Sequence, residues 1–341
     1  MQTTGQTAGA NGAGRRPVLR FGLQIARFDY PGVPPHEIFD RVVDIARTAE
    51  DAGFDSIWAQ DHFYQAPVPG LGWQADEPVL ESYAMLAALA ARTSKVRLGT
   101  TVTGVTFRNP ALLAKAVTTL DVISKGRAVL GIGAAWHEEE HRGYGFDFPP
   151  TGERLSRLEE ALQVCRAMFR EERPSFSGEY YRISEAVNSP RPLTSSGPPI
   201  LVGGGGEKRT LRMVARYADA CNLFGDLETV RHKLGVLERH CAAEERDPDE
   251  ITKTKMACLL ISESDAEAQR RYEEMAASMG DYAAMLGGIA IAGSPQRVAD
   301  QVGEYLEAGL DGLVCYLPDT HDLDTVRLAG ETLVKNFGGL S

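Results

Sequence analysis

The chain of 341 residues is 43% hydrophobic and 24% charged, a balance that folds around a core and excludes a disordered polymer. Its 36 basic against 47 acidic residues leave a formal charge of −11, which repels phosphate backbones and anionic bilayers and sets aside nucleic acid and membranes as partners. Glycine is in excess at 35 residues, against a usual share of ~7%, and it clusters at the ends of apolar runs.

Residues 1–17 are mostly Gly, Thr, Ala, Gln and Asn, and read as a disordered leader. The pair Arg15-Arg16 opens no export signal, because Arg20 and Arg27 interrupt the apolar run that follows. No stretch reaches the ~18 apolar residues of a membrane helix. The five cysteines are odd in number and scattered, the pattern of reduced, buried thiols in a cytoplasmic protein.

From Val18 onward, short apolar runs alternate with longer helical patterns. Strand one spans 18–26, and Ile38, Val42, Ile45 and Ala49 mark the face of the helix after it. Strand two is 56–60, with a helix near 78–93. Strand three is 96–103, and Asn109-Pro110 supplies an N-cap and a first-turn proline for its helix. Strand four is 128–134, with a helix over 152–170.

Residues 171–198 are too long and irregular for an ordinary connection and read as an insertion. Strand five is 199–203 with a helix from Glu207, strand six 220–224 with a helix near 227–243, and strand seven 254–262. Ser264-Asp-Ala-Glu267 then reads as a capping box. A helix runs from Ser294-Pro295 to Gly309, strand eight is 312–317, and 322–336 is the last helix. Eight strands, each followed by a helix, predict a (β/α)8 TIM barrel, one domain over 18–341, with its active site where strands end and helices begin.

Polar and glycine residues collect at those strand ends. Gly203, Gly204, Gly205 and Gly206 precede a helix, where free N–H groups and the helix dipole can cradle a phosphate; the alternative is a flexible turn. Asp61-His62 is the chemical pair, since His moves a proton near neutral pH and Asp accepts a hydrogen bond; the alternative is a surface Asp beside a structural His. His137-Glu-Glu-Glu-His141 fits H-E-x-x-H, the zinc-hydrolase pattern. Against zinc, Tyr144 stands where the extended motif needs glycine, and a helix dipole explains an acidic first turn without metal.

Seven segments carry a family resemblance. They are Phe21-Gly-Leu-Gln24, Ala49-Glu-Asp-Ala-Gly-Phe-Asp-Ser-Ile-Trp58, Asp61-His-Phe63, Leu98-Gly-Thr-Thr-Val-Thr-Gly104 with Phe107-Arg-Asn-Pro110, Leu120-Asp-Val-Ile-Ser-Lys-Gly-Arg127, Gly131-Ile-Gly-Ala-Ala-Trp-His-Glu-Glu-Glu-His141, and Pro199-Ile-Leu-Val-Gly-Gly-Gly-Gly206. In order and spacing they resemble the luciferase-like monooxygenase superfamily, in its actinobacterial branch that uses the deazaflavin coenzyme F420.

The resemblance implies a bacterial-luciferase-like barrel that holds F420, or alternatively FMN, at its C-terminal face. It implies a nonprolyl cis peptide bulge behind the ring, at about Thr100, Thr101, Val102 and Thr103. Asp61, Gly104, Ala134, Ala135 and Gly203–Gly206 join these as cofactor-binding residues, and Asp61, His62, Gln24 and Trp136 as catalytic ones, with His62 moving the proton.

Sugar-phosphate dehydrogenases of the superfamily carry a catalytic glutamate just after strand four; Trp136 stands there in this chain, which weakens a sugar-phosphate reading. The implied activity is hydride transfer to or from a small organic molecule in a homodimer. The alternatives are an FMN monooxygenase, a zinc hydrolase through His137 and His141, and an F420 carrier without turnover. Substrate choice is expected in the 64–78 loop and the 171–198 insertion.

Overall fold

The computed structural model describes residues 19–65 and 74–338. The leader at 1–17, and residues 66–73 of the 64–78 loop, lie outside them. Eight parallel strands form a closed ring: β1 (Phe21–Ile25), β2 (Ser56–Ala59), β3 (Arg97–Thr100), β4 (Ala128–Gly133), β5 (Ile200–Gly203), β6 (Ala220–Leu223), β7 (Thr252–Ile261) and β8 (Gly312–Tyr316). Each pairs with the next, and β8 closes on β1 through Phe21↔Leu313 to Gln24↔Tyr316. The helices lie outside this ring, so the chain is a (β/α)8 TIM barrel.

Alternation along the strands divides the core in two. Leu19, Trp58, Val129, Leu201, Ala220, Met256 and Val314 fill the barrel interior. A much larger cluster joins the outward strand faces to the helices. Trp58 is the largest interior side chain, and its indole N–H donates to Ser56 Oγ at 3.0 Å. All five cysteines are buried. No helix among the described residues is long and apolar enough to cross a membrane.

Local signals act where the chemistry directs. Asn109 accepts a hydrogen bond from Ala111 N and caps the helix Pro110–Ser124. Asp226 does the same for Leu227–Ala243 through Thr229 N. Ser264 does not close a capping box: its side chain makes no cap bond. Glu267 instead pairs with Arg270, and Asp265 takes the amide of Ser294.

Three further departures come from tertiary pairing. The predicted strand 96–103 is broken after Thr100 and resumes as Thr103–Gly104 against β4. β7 outruns its neighbours, and its last four residues pair with an additional strand, Ala290–Gly293. The 171–198 insertion carries an antiparallel hairpin, Phe176–Ser177 with Arg182–Ile183. It is clamped to the outside of the barrel: Glu160 accepts the amides of Glu179, Tyr180 and Tyr181, and Asn188 donates to Thr118 and Met168 O.

Gly131 on β4 shows how tightly the site's strands meet. A Cβ there would stand 1.7 Å from the carbonyl oxygen of Thr100, a backbone atom with no rotamer to escape into. Gly131→Ala is expected to cost about 3 kcal/mol or to prevent soluble expression. Gly303→Ala, in the helix Pro295–Glu307 where a Cβ meets nothing, should raise stability by about 0.5–1 kcal/mol. Thermal melts of the two variants beside the parent check both signs.

Candidate active site

At the C-terminal end of the barrel lies a cavity of about 410 Å³, bordered by the ends of β2 to β7. Its back wall is the break in β3, where the Thr101–Val102 peptide bond is cis although neither residue is proline. The bulge is held from several sides. Thr101 N donates to Ala59 O at 2.8 Å, and Gln24 Nε2 donates to Thr101 Oγ1 at 3.0 Å. Thr100 Oγ1 reaches both Gly131 O and Thr103 Oγ1. The Val102 side chain spreads across two glycines: a Cβ on Gly133 or on Gly203 would come within 2.7 Å of its methyl groups.

Beside this wall is a linked group of His62, Glu140, His137 and Trp136. Glu140 is fully buried, receives the amide of Phe63 at 2.6 Å on one oxygen, and faces His62 Nδ1 at 2.8 Å with the other. Burial alone would raise its pKa, but the His62 ring, the Phe63 amide and His137 outweigh it and hold the carboxyl below its usual range. The carboxylate is thus ionised and accepts Nδ1–H, which leaves Nε2 of His62 as the nitrogen that can exchange a proton.

His137 Nδ1 is buried without a hydrogen-bond partner and stands 3.7 Å from Glu140 Oε2. Burial lowers its pKa, so the ring is neutral at pH 7. Trp136 stacks on His137 at 5.1 Å between ring centroids and meets the edge of His62 at 5.7 Å.

Asp61 is buried beside the same cavity, and its carboxylate is held by both terminal nitrogens of Arg108. Arg108 also reaches Glu81 and lies over the Tyr83 ring at 4.8 Å. Burial pushes the Asp61 carboxyl upward, with the Arg108 guanidinium and the Thr103 hydroxyl pulling it back. Asp61 and His62, adjacent in sequence, therefore answer to different partners.

After β5 the chain turns through Gly203–Gly206, with Gly204 at φ +109° and its amide on Asn222 O. The following helix begins at Thr210, three residues later than its predicted start, after a turn over 207–209. Glu207 in that turn is paired with Lys233 at 2.6 Å and lies 3.2 Å from His232 Nε2.

Most residues predicted from the sequence meet at this cavity. Asp61, His62, Thr101, Val102, Gly104, Ala134, Ala135, Trp136, Gly203, Gly204 and Gly206 border it. Gln24, Thr100, Thr103 and Gly205 do not; Gln24, Thr100 and Thr103 brace the bulge from behind. The proposed His137/His141 zinc pair is not assembled. His141 is turned away, with Nδ1 on His137 O at 2.7 Å and Nε2 on Thr106 Oγ1 at 2.6 Å.

The described residues with ligand atoms close enough to share a metal ion are instead His62, His137 and Glu140, within 4.8 Å of one another, and two of these already satisfy each other. Sequence reasoning missed Arg108 and Glu140 as partners. Both lie inside segments that carried the resemblance, but nothing in their spacing says which acid or base they meet. No residue of the 171–198 insertion borders the cavity, so the expectation that it chooses the substrate is corrected.

A family model described as Luciferase-like monooxygenase matches residues 24–286. The chain belongs to that family. It is 32% identical over 311 residues to an F420-dependent glucose-6-phosphate dehydrogenase of Nocardia farcinica, covering 82% of this chain and 88% of the relative. A protein of the same name from Kineococcus radiotolerans is 39% identical over 168 residues, a stretch that is 49% of this chain and about half of the relative, 47%. Among solved structures, the F420-dependent tetrahydromethanopterin reductase of Methanopyrus kandleri superposes with a TM-score of 0.76 at 20% identity, over 94% of this chain and 100% of that one, which supports the fold.

The Glu140 pair gives a pH signature for this family member. Because the folded pKa of Glu140 lies below its unfolded value of about 4.3, its contribution is present above that value and is lost as pH falls through the folded one. Glu140→Gln should cost about 1–3 kcal/mol at pH 7, and the gap to the parent should narrow by pH 3. Urea unfolding at the two pH values measures it.

Proposed function

We propose that this chain is an F420-dependent oxidoreductase that exchanges a hydride with a small organic substrate. The observation that carries the reading is the joining, at one cavity, of the Thr101–Val102 wall packed over Gly133 and Gly203 with a His62 ring oriented by a buried carboxylate. The similarity to F420-dependent dehydrogenases supports F420 over FMN. The cavity's size, about 410 Å³, suits a site for a cofactor ring, for which ~300–1,000 Å³ is usual.

When bound, F420 supplies two-electron hydride chemistry; the protein's residues do the rest. Thr101, Val102 and Gly104 form the surface on which the ring would rest, and the amides of Gly205 and Gly206, in the turn after β5, would be offered to its phosphate. Glu140 keeps His62 in the Nδ1–H tautomer, so Nε2 takes up or delivers the proton that accompanies hydride transfer. The sugar-phosphate substrate in the relatives' names is not carried over, because no lysine or arginine side chain borders the cavity among the described residues.

Equilibrium binding with F420 and with FMN, each followed by quenching of its own fluorescence, tests the cofactor. F420 should bind and FMN should be at least tenfold weaker; the reverse order makes the protein a flavin monooxygenase instead. His62→Ala should slow turnover by about 10²-fold or more, the usual weight of a general acid–base group, with F420 affinity changed less than threefold. Equal losses in both would remove the proton role.

A further inference from the structure

We propose that the substrate is an uncharged organic molecule with a planar apolar portion, and that Trp136 is the residue that selects it. This rests on the reading of the cavity as the cofactor and substrate site.

Charge is the first argument. Among the described residues, the only carboxylates bordering the cavity are those of Asp61 and Glu140, and both are consumed, by Arg108 and by His62 with the Phe63 amide. Three cations from the surrounding loops are tied elsewhere, while Lys208, in the turn after Gly206, is exposed and does not border the cavity. Arg154 donates to the carbonyls of Ala134 and Pro149 and lies over the Phe148 ring at 4.0 Å. Arg209 is bound to Gly152 O and Ser156 Oγ, and Lys233 to Glu207. The stretch 66–73 contains no lysine or arginine in its sequence.

The backbone turn at Gly203–Gly206 is therefore the one anion receptacle among the described residues bordering the cavity, and the cofactor's phosphate needs it. A second anion would be desolvated without a countercharge, which is unfavourable unless it is paired.

Exposed aromatic surface is the second argument. Trp136 is 61% exposed and Phe224 52% exposed, and both border the cavity. Trp136 is held in place by its stack on His137 and its edge contact with His62, yet most of its surface is left uncovered beside the ring assigned to the proton. Met256 and Leu155 continue the apolar wall. An aromatic held rigid and left open next to the chemistry is suited to stacking on a planar group.

The test is calorimetric binding of indan-1-one, cyclohexanone and glucose 6-phosphate to the full chain, with and without F420. Indan-1-one should bind at least tenfold more tightly than glucose 6-phosphate. Trp136→Ala should weaken indan-1-one about tenfold and cyclohexanone less than threefold, and Trp136→Phe should restore most of the difference. Glucose 6-phosphate binding as tightly as indan-1-one, equal weakening of both ketones by Trp136→Ala, or no binding of indan-1-one at millimolar concentration each overturns the proposal. F420 titrated separately by its fluorescence keeps the two readings apart: failure of F420 to bind removes the cofactor assignment, while the ketone series on the cofactor-free protein still decides the substrate class.

Discussion

The end of β3 is pressed against β4 and β5 so closely that the neighbours have no room for side chains. Thr100 O meets the α-carbon of Gly131, and Val102 lies across Gly133 and Gly203. This contact makes the flat wall of the cavity and fixes where β4 and β5 deliver their C-terminal turns. Those turns bring Trp136, His137 and Glu140 on one side and the Gly203–Gly206 loop on the other. The supporting hydrogen bonds tie the bulge to Gln24 on β1, Ala59 on β2 and Gly131 on β4, so the wall is a property of the closed barrel and not of a local segment.

Around that wall, charge is arranged by private pairing. Asp61 is buried with Arg108, and Glu140 with His62, although Asp61 and His62 are neighbours in sequence. Removing one partner of a buried pair leaves the other charge uncompensated, so each pair sustains its own half of the pocket. The outcome is a site whose two carboxylates are both committed to partners, which leaves Nε2 of His62 as the ring nitrogen open to proton exchange.

The barrel was legible in the sequence because its signals are local: apolar runs, the Asn109 cap, and helical spacing in Ile38–Ala49. The strand ends were legible because glycine and polar residues cluster there. Less legible were features set by pairs far apart along the chain. Glu140 meets His62 across 78 residues and Arg108 meets Asp61 across 47. The H-E-x-x-H spacing correctly marks one helical turn, from His137 to His141, but spacing does not say which way a ring faces, and His141 is committed to Thr106. The additional strand at Ala290–Gly293 was hidden because its four residues exist as a strand only through pairing with the overhang of β7.

The hairpin at 176–183 is bound through the carboxylate of Glu160 and the amide of Asn188 to helices of the outer layer, and it contributes nothing to the cavity. The chain thus separates two kinds of surface that share one barrel, an inner one where chemistry occurs and an outer one free to diverge. A lineage could rewrite that hairpin, in length or in sequence, and change what the outside of the molecule touches while the reaction within stayed the same.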